Sequence, residues 1–153
     1  MKWLSISSNS RQEIYELWTT REKLLTLSYH PSSGTLRISA DDKKRVFLIG
    51  REGFLRSRTV LRNEYGVRMG QLTYESSQEN QGSIEVYDER FTYSIQDKLP
   101  PKLAIFKNAE ILVVCELPAI SKDHENSSNP DFLILALCWY MSTTVEKQIE
   151  EYA

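Results

Sequence analysis

Basic side chains are concentrated in one stretch of the chain, and they are the residues best suited to binding chemistry. Between Lys43 and Arg68 lie eight basic and two acidic residues, a net charge of +6, whereas the whole chain of 153 residues carries −2. A local field of this size can hold a phosphate, a lipid head group or an acidic protein surface. The candidate anion-binding residues are Lys43, Lys44, Arg45, Arg56, Arg58 and Arg62.

Strand geometry suggests how some of these side chains could act together. Arg56 and Arg58 are two residues apart on a predicted strand, so they should project from one face and could clamp one phosphate. A hairpin turn at residues 52–54 would bring Arg45 and its neighbours level with Arg58 and Arg62. The alternative is a solvated strand face whose charges maintain solubility and protect sheet edges.

No residue pattern predicts catalysis. His30 precedes a proline in a predicted turn, and His124 lies between two acidic residues in a polar loop. Two histidines, with Cys115 and Cys138 inside apolar runs, offer no metal-ligand spacing, and the six glycines are scattered singly. We expect no catalytic residue, no metal and no cofactor, and we expect both cysteines to be reduced and in the core.

Composition indicates one globular domain spanning residues 1–153. The chain is 41% hydrophobic and 26% charged with a pI near 5.8, which argues against a disordered chain and against a wholly basic nucleic-acid binder. Few aromatic residues lie among the basic ones, so nucleic acid is not an expected partner. The longest apolar run, Phe132 to Met141, is too short to span a bilayer, and no secretory signal is recognised. We expect no transmembrane segment and a cytoplasmic protein, with the inner membrane surface as a possible peripheral location.

Turn-forming residues recur every 8–12 positions as far as about residue 118, which is typical of many short strands joined as a meander. Alternation of apolar and polar residues, as in Thr35–Ser39, supports this interpretation. The predicted strands are Trp3–Ile6, Glu13–Thr19, Lys23–His30, Thr35–Ser39, Arg45–Arg51, Leu55–Asn63, Val67–Glu75, Gly82–Tyr87, Arg90–Gln96, Lys102–Lys107 and Ile111–Leu117.

The pattern changes after a polar loop at 121–129. Asn129 is a predicted helix cap, Pro130 suits the first helical position, and a helix should run to about Tyr152. Its first half, Phe132–Met141, is apolar all round and must be buried on every side. Its second half narrows to an apolar stripe formed by Met141, Val145, Ile149 and Tyr152.

These elements predict a closed antiparallel β-barrel of about twelve strands around a central hydrophobic helix. Strands of six or seven residues tilted near 40° give a barrel roughly 16 Å high, close to the roughly 15 Å of the apolar half-helix. The alternative is a β-sandwich with a helix packed on one face, which would bury only a stripe of that helix.

Three stretches resemble the tubby C-terminal-like superfamily, which includes tubby, LURP-one-related and phospholipid scramblase-like proteins. They are the strand–glycine–strand unit at 65–72, the strand Gly-Ser-Ile-Glu-Val-Tyr at 82–87, and the helix start Asp-Phe-Leu-Ile-Leu-Ala-Leu-Cys-Trp-Tyr at 131–140. The resemblance is one of pattern over nearly the whole chain. It implies a twelve-stranded barrel around a C-terminal helix and phosphoinositide binding through a basic patch.

Two function classes follow. The first is a non-enzymatic binding module that recognises an anionic lipid head group or an acidic partner through its basic strand face. The second is a protein-interaction or structural subunit that docks through the end of the helix or an uncovered strand edge. Salt-sensitive binding to anionic lipid would indicate the first, and salt-insensitive association with a protein the second.

Overall fold

Eleven strands are followed by one long helix in the computed structural model, which describes residues 1–75, 78–118 and 130–152. The elements are β1 (Lys2–Ser8), β2 (Glu13–Trp18), β3 (Lys23–His30), β4 (Thr35–Ala40), β5 (Lys43–Glu52), a 3₁₀ turn (Phe54–Arg56), β6 (Arg58–Asn63), β7 (Arg68–Glu75), β8 (Gln78–Val86), β9 (Glu89–Gln96), β10 (Lys102–Lys107), β11 (Glu110–Glu116) and α1 (Asp131–Tyr152).

Alternation in the sequence becomes an inner and an outer face in the strands. In β4 the side chains of Leu36, Ile38 and Ala40 are buried, whereas Arg37 and Ser39 between them are exposed. Every strand contributes apolar residues to a single core in this way. The tight turns follow their residue types, since Gly34 and Gly66 both adopt the positive φ that glycine tolerates.

The sheet closes into a barrel in which each strand pairs with its neighbours in sequence, and β1 pairs with β11. The predicted barrel with a C-terminal helix is therefore confirmed, and closure excludes the open sandwich. The described strands number eleven rather than about twelve, and the β1–β11 pair is parallel rather than antiparallel. Strand direction alternates along a meander, so an odd number of strands brings the first and last together in the same direction.

Helix α1 occupies the inside of the barrel. Each of the eight residues from Phe132 to Trp139 is at most 4% exposed, although together they cover all sides of the helix. Aromatic contacts reach different walls: Phe132 packs on Tyr15 and Tyr29, and Trp139 meets Phe47 edge-on. The first half of the helix is thus enclosed on every side, as its all-apolar sequence predicted.

The start of α1 differs slightly from the prediction. The carbonyl of Pro130 accepts hydrogen bonds from the N–H groups of Leu133 and Ile134, so proline precedes the first helical residue, Asp131. The predicted cap, Asn129, lies outside the described residues. The side chains of Val145, Ile149 and Tyr152 in the predicted stripe also lie outside them.

Both cysteines are free and fully buried, as predicted. In the described part of the chain, no helix combines the length and apolar character needed to cross a bilayer.

Candidate functional site

The two ends of the barrel differ, and we name them by the direction of α1. The upper rim is the end at which α1 begins, where Asp131 contacts Thr59 in β6 and Tyr74 in β7. The lower rim is the opposite end, where Trp139 lies near Tyr87 of the β8–β9 turn. Because turns alternate between the ends of a meander, the β5–β6 and β9–β10 loops lie at the upper rim and the β4–β5 turn at the lower rim.

The strand register separates the predicted basic residues instead of gathering them. Arg58 lies opposite Glu52 and Arg62 opposite Leu48. Arg45 is three residues beyond Leu48 along β5, roughly 10 Å away from the level of Arg62 and roughly 23 Å from that of Arg58. The expectation that the hairpin would bring Arg45 level with Arg58 and Arg62 is therefore wrong.

Lys43, Lys44 and Arg45 form an exposed group at the lower rim. They pair with β4 on one side, but pairing of β5 with β6 begins only at Phe47. Their stretch of β5 therefore has one uncovered edge among the described residues. Lysine and arginine on such an edge discourage pairing with another chain, which is the alternative interpretation that the sequence left open for these three residues.

Arg62 is engaged by a neighbour. Its Nη2 donates to both carboxylate oxygens of Glu52, at 2.9 and 3.0 Å. Nη1 of the same guanidinium donates to the carbonyl of Gly66 at 3.3 Å. Because both terminal nitrogens have partners within the protein, Arg62 is poorly placed to take an external anion.

Arg56 and Arg58 remain together at the upper rim, but not on one strand. Arg56 belongs to the 3₁₀ turn Phe54–Arg56, and β6 begins only at Arg58. The strand predicted from Leu55 was wrong over its first three residues, and with it the argument that the two arginines share a strand face. The Nε of Arg58 is buried and has no hydrogen-bond partner among the residues that the structure describes.

Two apolar side chains that the sequence analysis did not select stand out in this same loop. Phe54 is 87% exposed and Leu55 is 85% exposed. Leu55 also has a φ of 57°, a left-handed conformation that costs a non-glycine residue about 1–2 kcal/mol. A second apolar tip at the upper rim is Leu99, which is 97% exposed between Lys98 and Lys102 in the β9–β10 loop. The feature of the sequence that could have identified the first tip is the pair of large apolar residues directly after Gly53.

The loop is connected to the start of the helix through Arg51. The Arg51 guanidinium lies over the Tyr74 ring, 4.9 Å from its centroid. The Tyr74 hydroxyl in turn donates to the buried carboxylate of Asp131, which also accepts from Thr59 Oγ1 at 2.6 Å. Burial and the bond to Asp131 raise the pKa of Tyr74 to about 12. The end of β5, directly before the Phe54–Arg56 turn, is thereby linked to the buried start of α1.

The histidines show no catalytic arrangement among the described residues. His30 Nε2 is 3.4 Å from the Ser28 hydroxyl, and His124 lies outside the described residues. Within the described part of the chain, no group of three or more histidine, cysteine or acidic side chains is placed to hold a metal ion.

Comparison of the chain with family models, curated proteins and solved structures finds no match.

Proposed function

We propose that this protein is a non-enzymatic binding module that docks its upper rim on anionic lipid head groups. The observation that carries the proposal is the exposure of Phe54 and Leu55, 87% and 85%, in a short loop flanked by Arg51 and Arg58 and containing Arg56. Apolar tips beside cations match the two layers of a membrane surface, where apolar groups enter the acyl boundary and cations meet phosphates.

The free energy of burial favours contact of this loop with a membrane surface over exposure of the loop to water. Burying a large apolar side chain contributes about 1.5–3 kcal/mol, and each arginine near an anionic surface about 1 kcal/mol. Leu55 is unfavourable in water on two counts, exposure and backbone conformation. Docking on a membrane would remove the first of these two costs.

The filled interior supports an external site. Core side chains of α1 occupy the space that a ligand would take in a hollow barrel. A carrier that encloses its ligand, as lipocalins do, would need that space. A binding partner must therefore meet this protein at a rim, an edge or the outer wall.

The resemblance to the tubby-like superfamily points in the same direction, and we propose membership on the three stretches quoted above. It favours phosphoinositides as the anionic lipid and a peripheral position at the inner membrane surface. Within the predicted basic set, the position of Arg56 and Arg58 in the chain next to Phe54 and Leu55 favours these two over Arg62 and over the lower-rim group Lys43–Arg45.

Co-sedimentation with vesicles tests the proposal. The wild type is mixed with neutral vesicles, phosphatidylserine vesicles and phosphoinositide vesicles at low and moderate salt. Binding should require anionic lipid and weaken with salt. Arg56→Glu/Arg58→Glu should abolish it, whereas Lys43→Glu/Lys44→Glu, which changes net charge equally at the other rim, should retain most of it.

A second variant covers the apolar part of the site. Phe54→Ser/Leu55→Ser should weaken binding at every salt concentration, and the exposure of both side chains means that the thermal midpoint should not fall. Thermal melting also checks that Arg58→Glu folds, because the Arg58 Nε is buried. Equal loss in both charge-reversal variants, or no binding to any vesicle, would refute a site at the upper rim.

A further inference from the structure

The two apolar tips of the upper rim lie far apart on the barrel. Phe54 and Leu55 belong to the β5–β6 loop and Leu99 to the β9–β10 loop, with the four strands β6 to β9 between the two loops. Neighbouring strands are about 4.8 Å apart and tilt about 40° to the barrel axis. In a barrel of eleven strands, this spacing separates the two tips by roughly 20 Å across the rim.

The β9–β10 loop presents its apolar side chain without cover. Leu99 is 97% exposed, the highest value among the large apolar side chains that the structure describes. Lys98, directly before it, is also exposed, and Asp97 is the acidic residue of this loop. Pro100 and Pro101 restrict the backbone directly after Leu99. Little conformational entropy is therefore lost when this tip docks on a partner.

The turns of the lower rim have a different composition. Tyr65, which is 84% exposed in the β6–β7 turn, directly follows Glu64, and Asp88 lies in the β8–β9 turn. The β4–β5 turn consists of two aspartates at 41–42, next to the basic group Lys43–Arg45. Among the described turns of the lower rim, none joins a large apolar side chain to a cation. Both apolar tips of the upper rim do so, which is the combination that an anionic lipid surface favours.

We propose that the β9–β10 loop is a second lipid-contact site, at which Leu99 enters the acyl boundary and Lys98 meets an anionic head group. This inference rests on the proposed function, because it adds a contact with the same membrane. Two contacts this far apart hold the barrel axis close to the membrane normal and keep the lower rim away from the lipid. The β5–β6 loop alone would leave the barrel free to tilt.

Vesicle co-sedimentation measures the contribution of the second contact. Leu99→Ser should weaken binding to anionic vesicles about ten-fold, because the leucine side chain no longer leaves water on docking. Tyr65→Ser is the matched control, since it removes a similarly exposed large side chain from the lower rim, and it should leave the affinity unchanged. Because the two tips share no contacts, the losses from Leu99→Ser and Phe54→Ser/Leu55→Ser should multiply when the changes are combined.

An environment-sensitive dye reports the contact directly. The native cysteines, Cys115 and Cys138, are buried, so a dye attached to Leu99→Cys or Tyr65→Cys labels the introduced thiol selectively. When anionic vesicles are added, the emission of the dye at Leu99→Cys should shift to shorter wavelength as the dye leaves water. The emission of the dye at Tyr65→Cys should not shift.

The outcomes separate this inference from the proposed function. Lack of binding by the wild type to every vesicle would refute both. Wild-type binding that Leu99→Ser leaves unchanged, or an unshifted dye at Leu99→Cys, would refute the second contact and leave docking through the β5–β6 loop standing. An equal shift at Tyr65→Cys would refute the upright orientation, because the lower rim would then also enter the lipid.

Discussion

Asp131 is a buried carboxylate at the start of the enclosed helix, and its removal should destabilise the protein measurably. It is 7% exposed and accepts hydrogen bonds from Thr59 of β6 and Tyr74 of β7. These bonds fix the first turn of α1 to the barrel wall across 72 and 57 residues of sequence. The perturbation is Asp131→Ala.

The expected magnitude follows from what each partner loses. Thr59 is 3% exposed, so its hydroxyl would be left buried without its acceptor, at about 1–3 kcal/mol. Tyr74 is only half-buried and can turn toward water, which limits its loss to about 0.5–1 kcal/mol. A negative charge in the first helical turn contributes about 0.3–1 kcal/mol more. Relief of the desolvation of the carboxylate offsets part of this, and we expect a net loss of about 2–4 kcal/mol.

Asp131→Asn separates hydrogen bonding from charge. Thr59 and Tyr74 both donate to the same oxygen, Oδ2, so one amide carbonyl could accept both bonds. This variant should cost about 1 kcal/mol, mainly the favourable charge at the helix start. Asp131→Ala/Thr59→Val should lose less stability than the two single changes added together, because no buried donor is left unsatisfied.

Equilibrium urea unfolding, followed by tryptophan fluorescence and far-UV circular dichroism, measures these free energies. The order should be wild type, then Asn, then Ala. A loss below about 0.5 kcal/mol for Asp131→Ala, or a larger loss for Asn than for Ala, would refute the role of the carboxylate as the acceptor that anchors α1.

Three further outcomes are expected. Burial raises the pKa of the Cys115 thiol to about 12 and also raises that of Cys138. A disulfide reagent should therefore modify either cysteine only when the protein unfolds. Fast labelling in the absence of urea would contradict the burial of the two thiols. The pKa of Tyr74 is about 12 in the folded state and near 10 in the unfolded state. The stabilisation by its protonated hydroxyl is therefore complete below pH 10 and is lost as the pH rises toward 12. The stability difference between wild type and Tyr74→Phe should shrink between pH 10 and 12, and a constant difference would argue against the raised pKa. Leu135→Asp places a charge at a fully buried position and should prevent cooperative folding, whereas the control Leu112→Asp, at a half-exposed position, should fold. Cooperative melting of both variants would refute the placement of α1 inside the barrel.

The barrel could be predicted because its evidence is local and repeated. Alternation within each strand sets an inner face, and the all-apolar start of α1 demands burial on every side. Few folds satisfy both requirements at once. The parallel pairing of β1 with β11 follows from the number of strands. A meander of twelve strands would bring its first and last strands together antiparallel, whereas a meander of eleven brings them together parallel.

The site was harder to predict because its evidence depends on register and backbone conformation. Glu52 and Arg62 are ten residues apart in sequence and about four positions apart along the β5–β6 pair, so neither the sequence nor the register identifies them as partners. The left-handed conformation of Leu55 interrupts the alternation that assigned it to a strand. The acceptors and donors around Asp131 come from two distant strands, so nothing near residue 131 identifies them.

The enclosed helix also determines where function can lie. Because α1 uses the interior, binding energy must come from surfaces that the sheet does not need for its own stability. The upper-rim loop joins apolar exposure to positive charge. Salt should therefore weaken lipid binding strongly, whereas Phe54→Ser/Leu55→Ser should weaken it at every salt concentration.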